Sequence, residues 1–229
     1  MKTVAILQSN YIPWKGYFDL LAAVDEFVIY DEVQYTKNDW RNRNKIKTCN
    51  GTQWLSIPIR QERLRKKISE TRVSDSRWAA KHWKALANNY AKAPYFRRYA
   101  EVIEEAYLRA GRLELLSEIN LLFIRTVCSL LAIETSITSS SDYELVGDRT
   151  MRLADICQQA SAHLYLSGPA AREYLDETVF AAKGIRVAWM DYSGYPAYDQ
   201  LFPPFDHSVS ILDLLFCTGP AAKEYMKAA

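Results

Sequence analysis

Short apolar runs separated by longer segments of helical periodicity organise this chain. Four runs of three or four apolar residues are bounded by polar positions, at residues 4–7, 27–30, 164–166 and 187–190. Strands buried on both faces have this composition, and they occur in parallel sheets whose strands are connected by helices. The pattern predicts an α/β fold with a mostly parallel central sheet, flanking helices and a helical middle segment.

The helical periodicity is clearest in the middle of the chain. Apolar side chains recur every three or four residues from residue 79 to 90 and again from 115 to 130, which is typical of helices that pack one face on a core. A short helix is predicted over residues 15–24, between the first and second apolar runs. The turn at residues 8–14 therefore lies at the carboxyl end of a predicted strand, where doubly wound sheets bind their ligands.

Length and composition are those of an ordinary globular protein. The chain has 229 residues, of which 49% are hydrophobic and 24% charged, so one domain over residues 1–229 is expected. Every apolar run falls well short of the roughly 20 residues that span a bilayer, and the N-terminus lacks a signal-peptide pattern. A cytoplasmic location without a membrane span is expected. The four cysteines and three histidines are too scattered for a zinc site, so unpaired thiols and no metal are expected.

Charge is distributed unevenly. Residues 1–100 contain 19 Lys and Arg against 9 Asp and Glu, whereas residues 101–229 contain 10 against 18. The first half is therefore expected to face anionic ligands. Because the overall pI is only about 8.2, no nucleic-acid partner is expected.

The turn after the first strand combines amide, aromatic and glycine residues. Gln8 and Asn10 can donate and accept hydrogen bonds, Tyr11 and Trp14 offer flat faces, and Gly16 permits close backbone approach. A sugar or a nucleotide suits such a set. The same residues are equally consistent with a well-packed turn whose aromatic side chains belong to the core.

A basic segment follows the second strand. Arg41, Arg43, Lys45 and Lys47 recur at every second position, so an extended backbone would place all four on one face. Anionic groups would neutralise them, although a solvated surface strand is the alternative. Asp31 at the end of the second strand is suited to pair with one of these cations, bind a metal or act as a general base. A further basic run at residues 60–67 is more typical of a solvated loop.

Several separated motifs occur in a family-specific order over nearly the whole chain. They are QSNYIPWKGYF at residues 8–18, DEVQY at 31–35, WRNR at 40–43, YLSG at 165–168 and SILDLL at 210–215 followed by Gly219. Together they resemble the WbqC-like family of bacterial surface-polysaccharide gene clusters. The first motif of that family usually reads His-Gln-Pro-Asn-Tyr. Here Leu7 and Ser9 replace the His and the Pro, so a role for that histidine does not carry over.

The resemblance implies a part in modifying surface sugars, such as those of O-antigen, without fixing the reaction. We hypothesise a transferase that delivers an acyl or aminoacyl group to the amine of a nucleotide-linked amino sugar. Asp31 or His207 would accept the amine proton, and Asn42 or Arg43 would stabilise the oxyanion. The substrate-binding residues expected are Gln8, Asn10, Tyr11, Trp14, Gly16, Gln34, Lys37, Arg41, Arg43, Lys45, Ser167, Gly168 and Gln200.

The acyl donor is open, and two other functions are alternatives to acyl transfer. A phosphopantetheine-linked acyl donor is a possible cofactor, and an acyl carrier protein a possible partner. A nucleotidyl- or glycosyltransferase-like enzyme would instead use Lys37, Arg41 and Arg43 for leaving phosphates and would be metal-dependent through Asp31 and Glu32. A sugar- or carrier-binding accessory protein would bind its ligand without turnover.

Overall fold

The computed structural model describes residues 1–61 and 66–228. The strands within these ranges are β1 (Thr3–Leu7), β2 (Glu26–Ile29), β3 (Arg43–Thr48), β4 (Gly51–Ser56), β5 (Ser136–Ser139), β6 (Leu164–Ser167) and β7 (Arg186–Trp189). The helices are α1 (Lys15–Ala22), α2 (Trp78–Tyr90), α3 (Phe96–Ala110), α4 (Leu116–Leu130), α5 (Arg149–Gln159), α6 (Glu177–Ala181) and α7 (Ile211–Thr218).

Among the described residues, five strands form one sheet in the order β5–β2–β1–β6–β7, and every pairing in it is parallel. Strands β3 and β4 form a separate antiparallel hairpin. The prediction of an α/β fold with a mostly parallel sheet and flanking helices is confirmed. The four apolar runs correspond to β1, β2, β6 and β7, while the short and polar β5 has no such signature.

The sheet is covered on both faces because its strands alternate between two cores. Ala5 and Phe27 pack in the larger core with α1, α4 and α7, whereas Val4 and Val28 pack in the smaller core against α5 and α6. Burying apolar side chains on both faces is what makes these strands read as continuous apolar runs. The helices of the middle segment, α2 to α4, all belong to the larger core.

Strand order places a ligand crevice at one edge of the sheet. The chain leaves β1 toward β2 on one side and later enters β6 on the other side of β1, so the order reverses between β1 and β6. Open α/β sheets bind ligands outside the carboxyl ends of their strands at such a point. Helix α5 connects β5 to β6, and a crossover between parallel strands must begin at this same carboxyl edge. The N-terminus of α5 therefore lies beside the loops that follow β1 and β2.

The β3–β4 hairpin is anchored to the turn that follows β1. The Asn44 side-chain amide donates to the carbonyl oxygens of Tyr11 and Ile12 at 3.2 and 2.8 Å, and the backbone N–H of Tyr11 donates to the carbonyl of Trp40 at 3.0 Å. Because these three hydrogen bonds tie the two segments together, the basic segment is held against the amide and aromatic turn.

The structure also bears on the membrane, cysteine and basic-run expectations. No helix in the described ranges combines the length and the apolar character needed to cross a membrane. Cys49 is an exposed free thiol, and Cys128, Cys157 and Cys217 are buried free thiols. In the basic run at 60–67, residues 62–65 lie outside the described ranges.

Candidate functional site

Two neighbouring pockets open at the carboxyl edge of the sheet. The first, which we call the arginine pocket, has a volume of about 490 Å³ and lies between the loops after β1 and β2 and the start of α5. Its polar lining includes Gln8, Gln34, Thr36, Arg41, Arg149 and Arg152. The second, which we call the aromatic pocket, has a volume of about 280 Å³ and is lined by Asn10, Pro13, Trp14, Trp40, Asn44 and Ser208.

Arg41 connects the two pockets. Its guanidinium donates to the side-chain oxygen of Gln8 at 3.1 Å and to the side-chain oxygen of Asn10. Gln8 lines the arginine pocket and Asn10 lines the aromatic pocket. A charged group held by two amides in this way is fixed in direction, so Arg41 presents its charge at the boundary between the pockets.

A buried carboxylate sets the backbone of the turn that carries Gln8 and Asn10. Asp31 accepts hydrogen bonds from the Ser9 backbone N–H at 2.8 Å and from its hydroxyl at 2.7 Å. Asn120 of α4 then donates to the Ser9 hydroxyl oxygen at 3.0 Å and to the Arg41 carbonyl at 2.9 Å. Burial raises the pKa of Asp31, partly offset by the hydrogen bonds from Ser9. Asp31 therefore positions the site and is not among the residues that line either pocket.

Two arginines on α5 complete the arginine pocket. Arg149 and Arg152 are three residues apart and so project from the same side of the helix. The Arg149 guanidinium stacks on the Tyr174 ring at 3.4 Å from its centre, and the Arg152 Nε donates to the Gly147 carbonyl at 3.0 Å. Within the described ranges, neither arginine forms an ion pair with a carboxylate.

The carboxylates that line the same pocket are engaged by protein groups. Asp39 accepts from the Thr36 hydroxyl at 2.6 Å and from the Trp40 backbone N–H at 2.7 Å, and it lies 3.9 Å from Arg41. Asp148 caps α5 by accepting from the Met151 backbone N–H at 2.9 Å. Three guanidinium groups against two engaged carboxylates leave the arginine pocket positive, which favours an anionic ligand.

The aromatic pocket is shaped by Gly16 and by the loop after β7. A Cβ on Gly16 would overlap the indole ring of Trp14, so only glycine allows that ring to lie across the start of α1. The Trp14 ring also makes edge contacts with Tyr192 and Tyr195, with centroid separations of 5.2 and 5.9 Å. Trp14 is therefore held in a fixed orientation as one wall of the pocket.

Another part of the wall comes from Trp40, which precedes the hairpin and is open to solvent. Trp40 is 41% exposed, and its ring lies 5.4 Å from the ring of Trp54. The Arg43 guanidinium stacks on Trp54 at 4.2 Å from the ring centre. Exposed indole rings beside a pocket offer flat apolar faces of the kind that sugars and bases stack on.

The basic segment departs in part from its predicted arrangement. Arg43, Lys45 and Lys47 occupy one face of β3, but Arg41 precedes that strand because its neighbour Trp40 is bonded to the turn. Lys45 donates to the Ser208 hydroxyl at 2.7 Å and pairs with Asp206 at 3.4 Å, and Lys47 donates to the Pro204 carbonyl. Protein groups thus engage both lysines. Of the four predicted cations, Arg41 alone lines the arginine pocket.

Three of the expected site residues make internal hydrogen bonds instead of lining a pocket. The buried Tyr11 hydroxyl bonds to His82 at 2.8 Å and to the Tyr107 hydroxyl at 2.7 Å. Asn42 donates to the Ile57 carbonyl at 2.9 Å, which secures the hairpin. Gln200 donates to the buried carboxylate of Asp213 at 2.9 Å. These side chains hold the walls of the site and are not among those that contact its open space.

Of the remaining expected residues, Gln34 lines a pocket, and Lys37, His207, Ser167 and Gly168 are not among the lining residues. Gln34 lines the arginine pocket and Lys37 is exposed on the same loop. His207 is exposed, precedes the pocket residue Ser208 and packs its ring 4.5 Å from Phe205. Ser167 is the last residue of β6, and Gly168 follows it. Ser167 is buried with its hydroxyl 3.3 Å from that of Tyr165, and Gly168 lies next to the Tyr192 hydroxyl.

Lys15 is a buried cation close to this edge. Its ammonium donates to the Pro196 carbonyl at 3.2 Å and lies 4.7 Å from the centre of the Tyr195 ring. Burial lowers its pKa to about 8. Burial and then the charge of Lys15 also lower the pKa of His207, so its imidazole is neutral at neutral pH.

Carboxylates expected as metal ligands in one alternative mechanism are occupied by protein groups. Asp31 is bonded to Ser9, and Glu32 accepts from Lys67 at 2.6 Å and from Ser69 at 2.9 Å. In the part of the chain that the structure describes, no group of three or more His, Cys, Asp and Glu side chains is arranged to hold a metal ion.

Comparison with known proteins agrees with the motifs. The WbqC-like protein family matches residues 8–225 of the chain. The uncharacterized protein Rv1507c of Mycobacterium tuberculosis is 51% identical over 228 residues, covering 99% of this chain and 98% of the relative. No solved structure matches the chain significantly.

Proposed function

The chain belongs to the WbqC-like protein family, and we propose that it is a transferase that acts on a nucleotide-linked amino sugar. The proposed reaction is the transfer of an acyl or aminoacyl group to the sugar amine in surface-polysaccharide synthesis, such as that of O-antigen. The observation that carries the proposal is the position of Arg41, which joins a positively charged pocket to an aromatic pocket. A single ligand that carries phosphates at one end and a sugar at the other suits this arrangement.

The aromatic pocket supplies the groups that a sugar needs. Trp14 and Trp40 offer apolar faces to the ring, and the side-chain oxygen of Asn10 is bonded to Arg41, which leaves the Asn10 amide nitrogen to donate to a sugar hydroxyl. The Asn44 amide is used within the protein, where it fixes the pocket floor. Recognition by a few polar groups between apolar walls is typical of small-molecule sites.

His207 is the base that we assign to the reaction. The sugar amine nitrogen bonds to the acyl carbon of a thioester, the carbon–sulfur bond breaks, and the phosphopantetheine group leaves as a thiolate. The imidazolium formed when His207 takes the amine proton then protonates this thiolate. His207 accepts the proton that the amine loses, since its lowered pKa keeps the imidazole neutral. Asp31 is the second candidate base, but its two oxygens are bonded to Ser9.

Of the two oxyanion donors expected from the sequence, Arg43 is the better placed. Asn42 is buried and donates its amide to the hairpin, whereas Arg43 stacks on Trp54, whose ring lies 5.4 Å from that of the pocket residue Trp40. A guanidinium that reaches the ligand from there would stabilise the negative charge that develops on the acyl oxygen.

A non-catalytic sugar- or carrier-binding protein is the second candidate function. It is favoured by the internal hydrogen bonds of Asp31 and Asn42. Because these bonds occupy two of the three expected catalytic residues, His207 remains as the available base. This alternative predicts ligand binding at the same pockets without turnover.

Mass spectrometry of the reaction mixture tests the proposed function. The protein is incubated with a nucleoside diphosphate amino sugar and an acyl-coenzyme A as the phosphopantetheine donor. The proposal expects a product heavier by the acyl group, and the His207→Gln variant should form it at least about 100-fold more slowly while binding the sugar nucleotide normally. Binding without any acylated product from a panel of acyl and aminoacyl thioesters would support the accessory protein instead.

A further inference from the structure

The arginine pocket contains cations that the sequence motifs do not single out. Arg149 and Arg152 are more than 100 residues from Arg41 in the chain, yet all three line one pocket of about 490 Å³. Neither α5 arginine is balanced by a carboxylate within the described ranges. The three guanidinium groups outnumber the two carboxylates that line the pocket, and both carboxylates already accept hydrogen bonds from protein groups. An anion bound among the arginines would reduce their mutual repulsion.

The geometry points to a nucleoside diphosphate subsite in this pocket, and this inference rests on the proposed function for the identity of the attached sugar. Arg149 and Arg152 would bind the diphosphate together with Arg41. Planar guanidinium groups each give two parallel hydrogen bonds to phosphate oxygens, so three of them suit two linked phosphates better than one.

Each arginine is already held in place by the protein. Arg41 is fixed by Gln8 and Asn10, Arg149 by the Tyr174 ring, and Arg152 by the Gly147 carbonyl. Side chains that are ordered before the ligand arrives lose less conformational entropy on binding. The pocket is therefore a preorganised site and not a mobile cluster of surface charges.

Backbone N–H groups at the start of α5 add to the positive electrostatic potential of the arginine pocket. Gly147, Asp148 and Arg149 line the pocket, and the first N–H groups of a helix have no acceptor within it. Gly147 has φ of +78°, a backbone conformation that glycine adopts without strain. The N-terminal end of this 11-residue helix thus reinforces the charge of the three arginines.

The rest of the pocket indicates how the ligand is oriented. Tyr30, Val33 and Ile68 supply an apolar part of the lining, which suits the flat face of a nucleobase. Arg41 lies at the boundary with the aromatic pocket. The base then lies in the arginine pocket against these side chains, the diphosphate lies among the arginines, and the sugar passes Arg41 to reach Trp14 and Trp40.

Calorimetric titration with uridine diphosphate, thymidine diphosphate and inorganic pyrophosphate tests this subsite in the absence of any acyl donor. We expect at least one nucleoside diphosphate to bind the wild type. Arg149→Gln and Arg152→Gln should each weaken it at least about tenfold, and the double variant more. Arg77→Ala is the control, since the Arg77 side chain is 79% exposed and lies outside the site. Thermal melting of each variant checks that the fold is retained.

The outcomes separate this inference from the proposed function. Unchanged affinity in the double variant, or no binding of any of the three probes to the wild type, would overturn the subsite. A further arm uses 4′-phosphopantetheine, and arginine-dependent binding of this compound that is tighter than that of the nucleoside diphosphates would overturn the nucleotide assignment. Because no arm requires turnover, the subsite can stand even if acyl transfer is never observed.

Discussion

Nη2 of Arg41 lies 3.1 Å from Oε1 of Gln8, and this contact joins the loop before the hairpin to the carboxyl end of β1. The same guanidinium bonds Asn10, so one side chain contacts residues of both pockets. A cation in this position affects any ligand that passes from one pocket to the other. Lys45 and Lys47 donate hydrogen bonds to protein groups and Arg43 stacks on Trp54, which makes Arg41 the one to change first.

Replacing Arg41 tests whether phosphates bind in the arginine pocket or along the basic strand that the sequence predicts. Arg41→Ala should weaken binding of a nucleoside diphosphate amino sugar by about 1.5–3 kcal/mol, the usual scale for hydrogen bonds to a charged group. Lys45→Ala should change that affinity by less than about 0.5 kcal/mol, because Lys45 is bonded to Ser208 and Asp206. Calorimetry measures both. An equal loss of affinity in the two variants would indicate that the phosphates bind along the strand.

Gly147 is expected to be required for the start of α5. A Cβ there would lie 2.9 Å from the Met151 sulfur in a backbone conformation with φ of +78°, so Gly147→Ala should lower the free energy of unfolding by about 1–3 kcal/mol. Gly184→Ala is the matched control, since Gly184 has φ of +72° with open space around it. Chemical denaturation should show the larger loss for Gly147→Ala. Identical losses would mean that backbone strain alone matters and that the helix start tolerates a side chain.

Gly16 is expected to control the aromatic pocket through Trp14. A methyl group at Gly16 overlaps the indole, so Gly16→Ala should displace the Trp14 ring and weaken binding of the sugar-bearing ligand about tenfold or more. Binding of the nucleoside diphosphate without its sugar should change little. Titration of both ligands against this variant makes the comparison, and an equal effect on the two would contradict the assignment of the sugar to this pocket.

Buried His82 predicts a specific acid sensitivity of folding. Burial lowers its pKa from 6.5 to about 4, and its ring accepts or donates a hydrogen bond at the Tyr11 hydroxyl. Because the folded pKa is below the unfolded value, this contribution to stability is complete above about pH 6.5 and is lost as the pH falls toward 4, up to about 3 kcal/mol.

The test compares the free energy of unfolding at pH 7 and pH 4 in two variants. His82→Gln should remove most of this pH dependence relative to the wild type, while the exposed His163→Gln should leave it unchanged. A His82→Gln variant with the wild-type difference between the two pH values would show that the histidine does not carry the effect.

The sequence revealed the fold more fully than the site. Apolar runs located β1, β2, β6 and β7 because strands covered on both faces lack polar positions, whereas β5 (SITS) is short and polar and has no such pattern. Helical periodicity located the middle helices for the same reason, since each presents one face to the larger core.

The residues that the sequence singles out and that line a pocket lie in two segments. Gln8, Asn10 and Trp14 share the turn after β1, and Gln34 and Arg41 follow β2. Arg149 and Arg152 come next to the turn only through the crossover of α5, and a distance of more than 100 residues hides that relationship. The signal that was present is local: Gly147 and Asp148 mark a capped helix start, and arginines follow at its first and fourth positions.

The central claim is that one ligand spans both pockets, and replacing Trp40 tests it most directly. Trp40→Ala removes an exposed ring of the aromatic pocket, so the fold should survive. Calorimetric titration compares a nucleoside diphosphate with the same nucleoside diphosphate carrying an amino sugar, in the wild type and in Trp40→Ala. We predict that the sugar increases affinity in the wild type and that Trp40→Ala abolishes most of this gain while binding of the bare nucleoside diphosphate is unchanged. A Trp40→Ala variant that binds the two ligands with the same difference in affinity as the wild type would contradict the account.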